Sequence, residues 1–567
     1  MRRSRSALPL LCILATACAQ FPATPSPRTA AQIPVPVVAR PGGETDAWWF
    51  RAGAATAHNH GAGRKHARNI ILFIGDGMSL PTVAAARIYE GQLHGGPGEE
   101  NQLSFERFPD TALAKTYETD SQTPDSAGTM SAMMTGVKTR QGVLSVGAVG
   151  ARGDCVAARG APLVTLLELA ETAGLSTGMV TTTRVTHATP AATYAHTPER
   201  NWERDSELSD AAVAAGCRDI ARQLVDFEPG DGIDVVLGGG RSNFFPAGTA
   251  DPEYDTAPGG RLDGRDLVAE WQARHPDGRY VWNKTQLDAL DPMRDHRILG
   301  LFEPEHMHYE HDRGNDAAGE PSLAEMTRSA IRSMQGNSKG FFLMVEGGRI
   351  DHAHHAGNAF RALTDTVAFS DAVRAATEAT SETDTLIIVT ADHSHTLTFV
   401  GYPKRGHPIL GKVSGSSGED IGPGLATDSL GLPYTTLVYA NGPGYAGATA
   451  QQGEGPKRFE HLVSGAEPAN GRPDLRNVNT EDPDYLQEST LPTGSETHGG
   501  DDVGVWARGP GADAVRGSIE QNVIFHLMAQ SQQDIVGLLC RLGDCEDGVP
   551  LRLPGEASLR ARADPAK

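Results

Sequence analysis

The sequence predicts an α/β protein in which a central, mostly parallel sheet is flanked by helices and interrupted late in the chain by an irregular insertion. Three observations predict it. Short apolar runs rich in β-branched residues recur along the chain, each stops at a polar, charged or glycine residue, and helical patterns such as Leu163 to Ala173 lie between them. The first runs are Asn69 to Ile74 before Gly75-Asp76-Gly77, and Met179 to Thr183 before Arg184. Then come Ile233 to Leu237 before Gly238-Gly239-Gly240, Phe341 to Val345 before Glu346, and Thr385 to Thr390 before Ala391-Asp392-His393. Ligands of such sheets sit beyond the carboxyl ends of the strands. Asp76, Glu346, Asp392 and His393 stand at those ends.

The chain is long enough for one large α/β domain, and with 39% hydrophobic residues it can fill a sizeable core. Its 50 Lys and Arg against 71 Asp and Glu leave a net charge of −21. That excludes nucleic acid and anionic membrane as expected partners, because both need a basic surface. An acidic protein acting on an anion needs local positive charge, which makes metal ions an expectation.

Residues 1–19 read as a secretory signal: Met1-Arg2-Arg3-Ser4-Arg5 is basic, and a short apolar stretch follows from Ala7 to about Ala19. Export to the periplasm, the exterior or a lipid anchor on the envelope follows. Cys18 lies in a lipobox-like context and is the candidate lipid-anchor residue; the alternative is that it leaves with the signal. Residues 20–45, rich in Pro, Ala and Thr, read as a tether. The catalytic domain is expected over 46–545, with the insertion at about 406–496, where Gly, Ser, Pro and acidic residues dominate. A polar tail over 546–567 carries no pattern for a glycolipid anchor. Export permits disulfides. Cys540 and Cys545 are close enough to close a small loop, which leaves Cys155 with Cys217.

The richest segment is Glu346-Gly347-Gly348-Arg349-Ile350-Asp351-His352-Ala353-His354-His355. On a helix, Asp351 and His355 share one face a turn apart, a spacing that suits one zinc ion. Asp392 and His393 add a carboxylate and an imidazole at a strand end. Asp76 lies between glycines that let the backbone approach a ligand. Acidic residues and histidines gathered at strand ends of one sheet are costly to bring together without cations. Two neighbouring divalent ions are the usual device for displacement at phosphorus. Thr123-Pro124-Asp125-Ser126-Ala127-Gly128 reads as a helix N-terminus, where backbone N–H groups favour a phosphate anion. Ser126 is therefore the candidate nucleophile.

These segments resemble alkaline phosphatases, and the animal-type branch more closely than the enterobacterial one, from about Asn69 to the C-terminal cysteines. The resemblance rests on five motifs in order: Asp125-Ser126-Ala127-Gly128-Thr129; Thr181 to Pro190; Val345 to His352; Thr390 to His395; and Glu496-Thr497-His498-Gly499-Gly500-Asp501-Asp502-Val503. It implies hydrolysis of small-molecule phosphate monoesters through a phosphoserine at Ser126, with two Zn2+ and one Mg2+ per chain. Asp351, His355 and His498 would hold one zinc ion, and Asp76, Asp392 and His393 the second. Asp76, Thr189 and Glu346 would hold magnesium. Arg200 would clamp phosphate through its planar fork, with Arg184 as the next candidate. His187 stands where the enterobacterial enzymes have an Asp in the magnesium outer shell, beside the substrate. Glu253, Glu303, Glu320 and the Phe302 carbonyl match an animal-type calcium site. The family's disulfides match Cys155–Cys217 and Cys540–Cys545. A homodimer with the insertion as a crown over the interface is implied too. The alternatives are a sulfatase or phosphodiesterase of the same superfamily, or a non-catalytic envelope protein that binds metal or phosphate. The first needs a different nucleophile context, and the second a missing ligand.

Overall fold

Apolar runs with no polar alternation form the centre of the fold, because strands covered on both faces have no solvent side to satisfy. The computed structural model describes residues 32–37 and 43–563, apart from 257, 293, 415–423, 462 and 544. The expected signal, Cys18 and most of the tether lie outside the described residues. Ten strands make the main sheet: β1 (Asn69–Gly75), β2 (Asp110–Lys115), β3 (Ser176–Arg184), β4 (Val235–Gly239), β5 (Arg279–Val281), β6 (Ile298–Leu301), β7 (Phe341–Gly347), β8 (Thr385–Ala391), β9 (Val503–Arg508) and β10 (Gly517–Glu520). Their order is β10-β2-β9-β8-β1-β7-β3-β4-β6-β5. Only β9 runs antiparallel, to both of its neighbours β2 and β8. The central strands are wholly buried; Ile70 to Ile74 have no exposure.

The register sets the strand ends level. Ile74 on β1 lies beside Glu346 on β7 and Thr390 on β8, and Glu346 lies beside Thr181 on β3. The residues that follow therefore emerge together along one edge. Flanking helices are capped as their sequences dictate. Ser322 and Glu325 form a capping box at the start of Leu323–Met334, whose apolar face packs against the long helix Ala359–Ala379. Thr165 and Glu168 do the same for Leu166–Ala173.

The insertion is irregular over most of its described length. Its strands Leu437–Asn441 and Ser489–Leu491 join Leu397–Phe399 in a small separate sheet. Both disulfides are present, Cys155–Cys217 and Cys540–Cys545, with Cα separations of 5.9 and 5.2 Å. The expected polar tail differs from the structure. Val549 and Leu551 are buried with Ile33, Ala54 and Ala55, and a helix spans Glu556–Ala563 with Leu559 in the main core. The apolar residues there are spaced too sparsely among charges to register as a core segment in the sequence. No described helix is long and apolar enough to cross a membrane.

Candidate active site

Beyond the level ends of β1, β7 and β8, three groups of ligand-type side chains converge. In the first, donor atoms of Asp351, His355, His395 and His498 all lie within 4.8 Å of one another. Asp351 and His355 come from the short helix Arg349–His355, one turn apart, with Asp351 Oδ1 3.3 Å from His355 Nε2. Gly348, not Asp351, is the N-cap of this helix, so the carboxylate is free to point inward. His498 arrives from the end of the insertion, where His498–Gly499 pairs with Ser394–His395, and its Nε2 lies 3.4 Å from Asp351 Oδ1. His395 was not expected. Its Nε2 is 2.7 Å from Asp351 Oδ1 and its Nδ1 faces Glu496. Burial works against its charge, but the carboxylates of Glu496 and Asp351 raise it to about 10. His395 thus braces Asp351 against Glu496. The signal for it was its place two residues after His393, on the same side of an extended segment.

The second group is Asp76, Asp392 and His393. His393 Nε2 lies 3.4 Å from Asp76 Oδ1 and 3.3 Å from Asp392 Oδ2. Asp351 also reaches this group, converging with Asp76 and His393. The His393 and His498 rings stack at 3.6 Å, which sets the two groups side by side. Gly77 makes the approach feasible. Its φ is +68°, its N–H donates to Asp392 Oδ1 at 3.0 Å, and a Cβ there would lie 2.3 Å from the His395 ring.

The third group joins Asp76 and Glu346 to Thr189, whose hydroxyl lies 3.5 Å from Asp76 Oδ2. Thr181 and Thr183 hydroxyls donate to one oxygen of Glu346. His187 lies beside this group, with donor atoms of Asp76, His187 and Glu346 all within 4.8 Å of one another. Its Nε2 accepts from Arg200 at 3.0 Å. Three imidazoles, His187, His306 and His352, pack edge to face beside this group with centroids 4.2 to 5.5 Å apart. Sequence reasoning missed His306.

The donor chemistry fits cations. Asp76 Oδ1, Asp392 Oδ2, Glu346 Oε1 and His187 Nδ1 are buried without a hydrogen-bond partner, and each such atom costs about 1–3 kcal/mol if nothing else satisfies it. Burial, then the carboxylates of Asp392, Asp351 and Glu346, push Asp76 well above the carboxylate range. Burial raises Glu346 to about 7. Asp351 goes the other way: burial opposes its charge, but His355, His395 and His498 hold it well below the usual range. Burial keeps His393 and His187 neutral, the form that ligates metal.

Ser126 opens the buried helix Ser126–Thr135. Asp125 caps it, with Oδ1 accepting from the N–H groups of Ala127 and Gly128 at 3.0 and 3.1 Å. The Ser126 hydroxyl lies 3.1 Å from His393 Nε2. Arg200 donates to Asp125 Oδ2 at 3.3 Å, so nucleophile, cap and guanidinium form one unit. Arg184 is elsewhere engaged: its fork grips Glu203 at 2.8 and 2.6 Å.

The expected calcium residues also gather, but with company. Glu253 and Glu303 converge with Asp316, and Glu303 and Glu320 with His308. Phe302 is buried at the end of β6, next to Glu303. Asp316 and His308 were missed because neither lies in a recognisable motif.

Comparisons with known proteins identify the family and the fold. A family model described as alkaline phosphatase matches residues 67–533. The alkaline phosphatase of Gadus morhua is 45% identical over 82% of this chain and 92% of its own length. The tissue-nonspecific isozyme of Rattus norvegicus is also 45% identical, over 82% of this chain and 83% of its own. Among solved structures, Thermus thermophilus alkaline phosphatase superposes with a TM-score of 0.57 at 26% identity, covering 84% of this chain and 93% of that one.

Proposed function

The chain belongs to the alkaline phosphatase family, and we propose that this phosphomonoesterase works through a covalent phosphoserine at Ser126. The observation that carries the reading is the Ser126 hydroxyl at the mouth of a buried helix N-terminus, beside His393 and within the Asp125–Arg200 unit. Asp351, His355 and His498 would hold one zinc ion, Asp76, Asp392 and His393 the other, and Asp76, Thr189 and Glu346 magnesium. When bound, such ions supply charge stabilisation at the attacking and leaving oxygens.

The chain's own residues do the rest. Arg200 turns its fork to two phosphate oxygens, held by Asp125 on one side and His187 on the other. The helix N-terminus adds partial positive charge on the phosphoryl side, while Asp125 takes the N–H groups of Ala127 and Gly128. Ser126 Oγ attacks phosphorus, the bond to the substrate alcohol breaks, the serine proton ends on the departing alcohol oxygen, and the phosphoryl group rests on serine. Water then attacks the same phosphorus, the Oγ–P bond breaks, and one water proton returns to Ser126 Oγ, leaving inorganic phosphate as product. His395, pinned between Glu496 and Asp351, keeps the Asp351 carboxylate in place.

The same reading extends to an exported homodimer and to a calcium ion among Glu253, Glu303, Glu320 and the Phe302 carbonyl. Glu253, Glu303 and Asp316 offer a set of oxygens, which suits a hard cation. Trapping labelled phosphate on the enzyme at low pH tests the central claim. The label should fall on the peptide containing Ser126 and vanish in Ser126→Ala; label on another residue overturns the assignment. A panel of p-nitrophenyl phosphate, sulfate and diester should give turnover of the monoester far above the other two.

A further inference from the structure

Glu118 has no part in the chemistry described so far, yet it sits against the nucleophile helix. It is 4% exposed, no side chain donates to either carboxyl oxygen, and the group the carboxyl meets is Asp125, at both its backbone N–H and its carboxyl. Its surroundings are built to receive it. A Cβ on Gly128, the third residue of the helix, would lie 2.0 Å from Glu118 Oε1, so glycine there opens the space the carboxyl fills. Its own N–H donates to Ser121 O at 3.0 Å, and Thr119 N–H to Thr139 O at 3.0 Å, which fixes the turn that carries it.

What Glu118 faces is the carboxyl of Asp125. Two carboxylates in contact in a buried site cannot both be ionised. Asp125 is the better anion of the two. One oxygen accepts two helix N–H groups, the other accepts from Arg200, and Asp125 is held below the usual carboxylate range although burial opposes it. The proton between them belongs on Glu118, which burial and then Asp125 push up to about 10. The other charged groups that face Glu118 are Asp120, Lys138 and Arg152.

We propose that Glu118 is a positioning residue for the phosphate clamp: as a neutral acid it donates its carboxyl hydrogen to Asp125, and so fixes the carboxylate that holds Arg200. It touches neither substrate nor metal ligand and acts only through Asp125. This inference rests on the proposed clamp role of Arg200.

The test uses the full chain loaded with zinc and magnesium, inorganic phosphate as inhibitor, and p-nitrophenyl phosphate as substrate. Glu118→Ala should weaken phosphate inhibition and raise KM about tenfold, as loss of a hydrogen bond to a charged group implies, with a smaller change in kcat. Glu118→Gln keeps a neutral donor and should recover affinity to within about twofold of the parent. Between pH 8 and 11 the parent should lose more phosphate affinity than Glu118→Gln, because only the parent gains a second buried carboxylate; hydroxide and metal effects are common to both. Undiminished phosphate affinity in Glu118→Ala, or identical alkaline profiles of parent and Glu118→Gln, would overturn the proposal. If Glu118→Ala does not fold, the profile comparison decides alone. Arg200→Ala in the same series separates the two failures: weakened inhibition there with none in Glu118→Ala removes Glu118 only, and undiminished inhibition in Arg200→Ala removes the clamp itself.

Discussion

Two acidic clusters of this protein differ in how their charge is met. At the strand ends, Asp76, Asp392 and Glu346 are fully buried and face one another, and most nearby imidazoles are held neutral. Around Glu303, the chain brings its own cations. Arg241 donates to Glu253 at 3.2 Å, and His308 Nδ1 lies 3.4 Å from Glu320 and 3.7 Å from Glu303. Like charges in a dry site need a counter-charge from somewhere. The first cluster obtains little of it from within the chain, and the second obtains much of it there. The first should therefore depend on bound metal for its arrangement and activity, and the second should use metal mainly to add stability.

The largest effect tests that contrast directly. Chelation should lower phosphomonoester hydrolysis by on the order of a thousandfold, since several kcal/mol of charge stabilisation is lost, and zinc with magnesium should restore it. Turnover that survives exhaustive chelation breaks the contrast. His355→Ala and His498→Ala should each lower zinc content by about one ion per chain, because each removes one of roughly four ligands; metal analysis showing parental zinc in both places the first zinc elsewhere. Arg200→Ala should leave zinc content intact while kcat/KM falls roughly ten- to a hundredfold, the worth of charge-assisted hydrogen bonds to phosphate. Arg200→Lys should recover only part, since an ammonium cannot match the planar fork.

At the second cluster the effects should be small. Glu320→Gln should leave kcat/KM within about twofold, yet remove a calcium-dependent rise in melting temperature of about 2–5 °C, the scale of 1–2 kcal/mol of ligand-linked stability. A tenfold loss of activity instead would make this cluster part of the catalytic centre. In calcium-depleted protein a pH effect should appear. The hydrogen bond with Glu320 raises His308 to about 9, above its unfolded value of about 6.5. Its contribution is complete below about pH 6.5 and is lost as pH rises through 9. His308 is 35% exposed, so screening keeps the effect modest. Thermal melts of parent and His308→Gln from pH 6 to 10 should converge at the alkaline end.

The same contrast marks what could be read in the sequence. Strand ends at Asp76, Glu346 and Asp392 were legible because apolar runs stop there, and the motifs around Ser126, Asp351 and His498 carry the family resemblance. His308 and Asp316 carry no motif, and no local pattern sets them beside Glu303 and Glu320. His395 was in view but unassigned, since its role depends on Glu496, 101 residues away.

By itself, then, the sequence determined the parallel sheet, the order of the motifs and the residue types able to bind metal and phosphate. Apolar periodicity and ligand spacing are local properties, and local properties survive in one dimension. Only the tertiary structure decided which partners those residues meet. The level register of β1, β7 and β8 brings Asp76 to Asp392 and Glu346. The return of the chain after the insertion brings His498 to Asp351. The packing of Gly128 against Glu118 sets two carboxyls in contact near the nucleophile. Charge, burial and protonation depend on distances across the fold, so they are set by the packing and not by any one segment.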